Sequence, residues 1–215
     1  MGVAWPAVRV DMGQPLAAVG IFTLVGTVCA AVSSYFAVAV VKRVGAGLVV
    51  AASCLMTALA LVGYAYAPSF AWLVLLAVPM GVGAGAVDTS LNHFVAAHYS
   101  SRHMNWLHGF WGVGATLGPL IMSWAVANAA GWTLGTRTIG LMQLALAVTL
   151  FLTLALWARE TATPIEAAST QQTQTAFKPL QAQAMWLAPT CFLLYVSAEM
   201  GTGLWAASIL ATDRG

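Results

Sequence analysis

Asp88 and Asn92 stand four residues apart inside a long apolar stretch that runs from residue 79 to 119, PMGVGAGAVDTSLNHFVAAHYSSRHMNWLHGFWGVGATLGP. At 3.6 residues per turn the two share one helix face with Gly81 and Gly85, so a smooth stripe leads to an acid and an amide. A carboxylate kept inside an apolar helix is costly to bury and usually faces the bundle interior, where it binds a proton, an ion or a polar solute. The plain alternative for Asp88 is a structural hydrogen bond to a neighbouring helix, and for the glycines it is close helix packing. A second polar face follows, because Asn105, His108, Gly112 and Thr116 fall within about 80° of one another on a helical wheel. A third lies in CFLLYVSAEMGTGLWAASIL, where Glu199 is the single charge, Tyr195 precedes it by four residues and Thr202 follows by three. Glu199 is thus a second candidate for proton or solute binding. Of the nine tryptophans, most lie near span ends and serve as membrane anchors, whereas Trp106 and Trp205 could stack on a sugar ring.

The four histidines, at 93, 98, 103 and 108, invite a metal reading. Their spacing of five turns each about 140° from the last, unlike the i, i+4 pair of a helical zinc motif, so no metal is expected. His98 and His103 belong at the membrane surface, and His108, beside Asn105, is the one placed to line a cavity. Cys29, Cys54 and Cys191 all lie in apolar runs with no paired spacing and read as small packing residues.

The elements that must position these groups are membrane helices. The chain is 60% hydrophobic and 7% charged, with a mean hydropathy of +0.85, against about 25% charged residues in an average soluble domain. From Val44 to Val87 it holds no Asp, Glu, Lys or Arg. A bilayer core of about 30 Å needs only about 20 apolar residues, so the chain crosses at least twice before Asp88. These runs are too long for barrel strands, and the fold class is all-α, a polytopic helix bundle. Charges and turn residues place spans at about 16–41, 46–67, 69–97, 104–128, 138–158 and 185–210, with residues 1–10 as the end of a further one.

The net charge of +2 gives no reason to expect a nucleic-acid partner, and the N-terminal sequence does not read as a cleaved signal. Residues 1–158 form one bundle, 159–184 a polar linker rich in Thr, Gln and Ala, and 185–215 the first span of another. Lys42, Arg43, Arg102, Arg159 and Lys178 fall on the linker side, against Arg9, Arg137 and Arg214 opposite, which puts the linker in the cytoplasm.

Three stretches carry a family resemblance: DTSLNHFV at 88–95, RHMNWLHGFWGVGATLGP at 102–119 and YVSAE at 195–199. They resemble the major facilitator superfamily, and most closely its fucose-permease branch. The resemblance implies a partial fold of that kind, helices two to seven of twelve, lacking most of helix one and including helix seven. It further implies a multi-pass cell-membrane protein, not an enzyme and without a cofactor, that works by alternating access, moving a proton with a small polar solute such as a sugar. Asp88 then matches the fucose permease's proton-coupling acid in the fourth helix, Asn92 the amide one turn later, and Asn105 a polar position opening the fifth. Glu199 stands where that permease has an amide.

Of the superfamily's loop between its second and third helices, Lys42, Arg43, Gly45 and Gly47 are kept, whereas Val38 and Ala39 replace small or charged residues. Gly114 to Pro119 resembles the opening of the antiporter motif, but Met122 and Ser123 replace its closing glycines, and antiport is not inferred. On this reading Asp88 and Glu199 are the proton-coupling residues and Asn92, Asn105, His108, Tyr195 and Trp205 the solute-binding ones. The competing reading is a truncated scaffold that transports nothing. A second copy or a missing C-terminal half stands open as the complement of the chain.

Overall fold

The computed structural model describes residues 1–128, 131–161 and 179–213, and among these the regular structure is entirely helical. A short α1 (Trp5–Asp11) leads through a turn at Gly13 into α2 (Ala18–Val44). One residue, Gly45 with φ 86° and ψ 150°, joins α2 to α3 (Ala46–Ala65), and its left-handed backbone is one that side chains rarely adopt. Then follow α4 (Phe70–His98), α5 (Ser101–Ala127), α6 (Gly131–Leu152), α7 (Leu154–Thr161) and α8 (Pro179–Asp213). Helices α2 to α6 and the segment Leu193–Leu210 of α8 are each long and apolar enough to cross a membrane. The protein is therefore an all-α, multi-pass membrane helix bundle.

Several boundaries differ from those expected. The span placed at 138–158 begins instead at Gly131, whose φ of 63° makes the turn, so Arg137 lies exposed within α6 and does not precede it. It also ends at Leu152, where Thr153 interrupts the helix before α7. An arginine is a poor boundary mark, because its long stem lets the charge reach the interface from inside the helix. Likewise α7 and α8 enter the stretch 159–184 from both sides, and residues 162–178 of the expected linker lie outside the described residues.

Helix α4 is the centre of the packing, with α2 along one side and α3 along another, while α6 covers α3 and receives α5. Small residues make the α2–α4 contact. A Cβ on Gly81 would run into the Gly26 carbonyl and one on Gly85 into that of Ala30, so here the glycines serve close approach between backbones. The Ser33 hydroxyl donates to the Val82 carbonyl at 2.7 Å and the Ser34 hydroxyl to that of Gly85 at 3.1 Å, which ties the same seam. Gln143 of α6 donates to the Thr57 hydroxyl of α3 at 3.1 Å.

Buried side chains gather at both ends of the bundle. Away from the Lys42–Arg43 turn, Trp5, Val8, Val19, Tyr64, Leu73, Met122 and Trp132 form the larger cluster. The Trp5 indole donates to the Leu16 carbonyl at 3.0 Å, and the Trp132 indole to the Asp11 carboxylate at 2.7 Å, which fastens α1 to α6. Trp132→Phe removes a charge-assisted bond and is expected to lower unfolding stability by about 1–2 kcal/mol, read from thermal unfolding in detergent. At the other end Val50, Cys54 and Ala147 form a smaller cluster, and Trp157 of α7 packs on it. Trp157 lies 4.9 Å from the Phe94 ring between centroids, and its Cβ sits so close to Gly47 that any side chain there would meet it. Cys54 is buried, Cys29 half-buried and Cys191 exposed, and all three are free thiols.

Candidate functional site

The stripe Gly81, Gly85, Asp88, Asn92 divides in the folded chain. Its glycine part is taken up by α2, and its polar part continues beyond that contact toward α5. Helices α4 and α5 meet only sparsely, and between them opens a cavity of about 400 Å³. Ala84, Val87, Asp88, Leu91 and Asn92 line it from α4, and Leu107, His108 and Trp111 from α5. The Asn92 amide donates to Asp88 twice, to the carboxylate oxygen Oδ1 at 3.1 Å and to the backbone carbonyl at 2.9 Å. The amide thus holds the carboxylate in position along its own helix and neutralises part of its hydrogen-bonding demand. The cavity offers one acid, one amide, one imidazole and one indole within otherwise aliphatic walls. Such a pocket is shaped for a small solute with a polar edge and a flat or apolar body.

The other expected residues lie elsewhere. Asn105 is exposed on α5 and does not line the cavity. The side of α5 that meets the cavity centres on Leu107, His108 and Trp111, whereas the polar face of Asn105, Gly112 and Thr116 points about 100° away at 3.6 residues per turn. Thr116 donates to its own helix, to the Gly112 carbonyl at 3.0 Å, and a Cβ on Gly109, Gly112, Gly114 or Gly118 would meet nothing within 4 Å. On α8, Tyr195 and Glu199 are exposed and stand one turn apart, and Trp205 packs against the larger core cluster. None of the three lines the α4–α5 cavity.

Lys42 and Arg43 are exposed at the end of α2, with Gly45 in the turn and Gly47 buried beneath Trp157. His98 stacks on Phe94 at 4.5 Å and hydrogen-bonds the Phe94 carbonyl, and His103 pairs with Ser100 at 3.0 Å. Among the described residues no group of three or more His, Cys, Asp or Glu could hold a metal ion.

Trp111 is the residue that sequence reasoning missed. Its signal was present, since it follows His108 by three positions and so shares its face, but a tryptophan in a membrane helix reads first as an anchor.

Comparison with known proteins adds three findings. The model of the Major Facilitator Superfamily matches residues 1–215. Among curated proteins the chain is similar to the niacin transporter NiaP of Acinetobacter baylyi, with 29% identity over 112 residues, covering 50% of this chain. The match covers 25% of that relative's length. No solved structure matches the chain.

Proposed function

Because the chain belongs to the major facilitator superfamily, matched along its whole length, we propose that it is part of a secondary active transporter that carries a small polar solute together with a proton. The observation that carries this reading is the α4–α5 cavity, where Asp88, Asn92 and His108 face one space of about 400 Å³. Asp88 takes the proton, Asn92 aims its carboxylate, and His108 and Trp111 hold the solute. A charged carboxylate is expensive to move through a closed, dehydrated site, and protonation removes that cost. Proton and solute then travel together because only the loaded, neutral site closes.

The stretches at 88–95, 102–119 and 195–199 support a sugar as the solute, through their likeness to the fucose-permease branch, with the chain as helices two to seven. The likeness to a niacin transporter supports a flat heteroaromatic acid. Either ring suits the indole wall of the cavity. Glu199 and Tyr195 are proposed as a second, separate coupling pair on helix seven, and Lys42, Arg43, Gly45 and Gly47 as the cytoplasmic loop that gates the half.

The test is uptake of labelled L-fucose and labelled nicotinate into proteoliposomes holding the intact transporter, with an imposed inward proton gradient. Accumulation that a protonophore abolishes supports the reading, and accumulation indifferent to the gradient sinks the coupling. Within the same assay Trp111→Ala is expected to raise KM about 3- to 10-fold through loss of ring stacking, while Asn105→Ala stays within about twofold.

A further inference from the structure

Tyr64, at the end of α3 away from the Lys42–Arg43 turn, is 2% exposed, and its hydroxyl has no hydrogen-bond partner. A buried phenol left unpaired costs free energy unless something supplies a partner. Tyr64 lines a cavity of about 420 Å³ together with Met1, Met80 of α4, Met122 of α5, Thr136 of α6 and Gly203 of α8. This is a different space from the Asp88 cavity, and no acid or base side chain lines it.

The two are joined. A third cavity of about 270 Å³ is lined by Tyr64 and Met80, which it shares with the Tyr64 chamber, and by Ala84, which it shares with the Asp88 cavity. Along α4, Met80, Ala84 and Asp88 recur every fourth residue, so one helix face runs through all three spaces over about 12 Å.

We propose that the Tyr64 chamber is a second solute-binding station, reached from the side of the membrane opposite Lys42 and Arg43, where a neutral small organic solute rests before passing to Asp88. The phenol supplies its single strong hydrogen bond, and the thioethers and aliphatic groups around it accept an apolar body. With no charged side chain in its walls, the chamber favours solutes uncharged on that side, including the neutral form of a weak acid. The proposal rests on the transport reading above and adds to it a site, an order of binding and a class of solute.

The experiment uses the intact transporter with Cys29, Cys54 and Cys191 replaced by serine. Met122→Cys is introduced and exposed to a membrane-impermeant methanethiosulfonate from each side, with and without L-fucose or nicotinate. In parallel, Tyr64→Phe is assayed for uptake of both probes. The expected result is modification from the side opposite Lys42 and Arg43, slowed by whichever probe is transported, with Tyr64→Phe raising KM about 5- to 10-fold at unchanged kcat. Reaction only from the Lys42–Arg43 side, no reaction at all, or a KM for Tyr64→Phe within about twofold of wild type overturns the second station. Absence of uptake by the unmodified protein overturns the transport reading instead. In that case the side from which the Met122→Cys variant reacts still decides whether the chamber is open to solutes.

Discussion

Asp88→Asn is expected to abolish proton-driven accumulation of solute while leaving the protein folded and the solute still bound. The substitution keeps the size and planarity of the side chain and an oxygen that can accept from the Asn92 amide, now at 3.1 Å from Oδ1, so the local geometry survives. What disappears is the ability to alternate between a charged and a neutral state. A charge at the centre of a membrane helix costs about 2.5–3.5 kcal/mol, and this difference separates the empty, ionised site from the loaded, neutral one. Removing it removes about 100-fold of discrimination between the two. Concentrative uptake under an imposed pH gradient should therefore fall about 100-fold, whereas counterflow, in which labelled solute exchanges for unlabelled without net proton movement, persists and no longer varies with pH. A variant that still accumulates solute along the gradient would show that the proton binds elsewhere, and Glu199 becomes the next acid to test.

Gly85→Leu should prevent stable folding. A side chain at this position enters the space of the Ala30 backbone carbonyl, and backbone, unlike a flexible side chain, cannot turn aside. Helices α2 and α4 would have to separate along the seam that also holds the Ser33 and Ser34 hydrogen bonds. Overpacking of a core by a few methylenes costs about 1–3 kcal/mol, and with a hydrogen bond broken as well the loss should exceed about 3 kcal/mol. The measurement is thermal unfolding in detergent together with yield of monodisperse protein. Gly109→Leu on α5 is the matched comparison, because nothing lies within 4 Å of its added Cβ and a better helix former gains up to about 1 kcal/mol there. Equal melting temperatures for the two variants would contradict the close approach of α2 and α4.

Much of this arrangement could be read before any coordinates. Long uncharged runs admit only helices in a bilayer, and that alone gives the class of fold. The four-residue step from Asp88 to Asn92 identified a pair that does hydrogen-bond. What could not be read is direction. A helical wheel says which residues share a face but not what that face meets, and so His108 reaches the cavity as expected while Asn105, Gly112 and Thr116, grouped with it, do not. The orientation of α5 is set by its packing on α6, which leaves Leu107, His108 and Trp111 toward α4 and carries Asn105 out of the cavity. The glycine stripe served packing for half its length and the site for the other half, a division decided by where α2 ends its contact. Tyr64 gave no sign at all, since an aromatic near the end of an apolar span is commonplace and only its burial without a partner singles it out.

Beyond the interruption at Thr153, α7 seats Trp157 on both Gly47 and Phe94. Phe94 follows Asn92 by two residues on α4, and Gly47 follows Gly45 by two at the α2–α3 turn. One indole is therefore wedged between the basic turn and the helix that bears the acid. The turn that carries Lys42 and Arg43 and the helix that carries Asp88 thus share one contact outside the cavity.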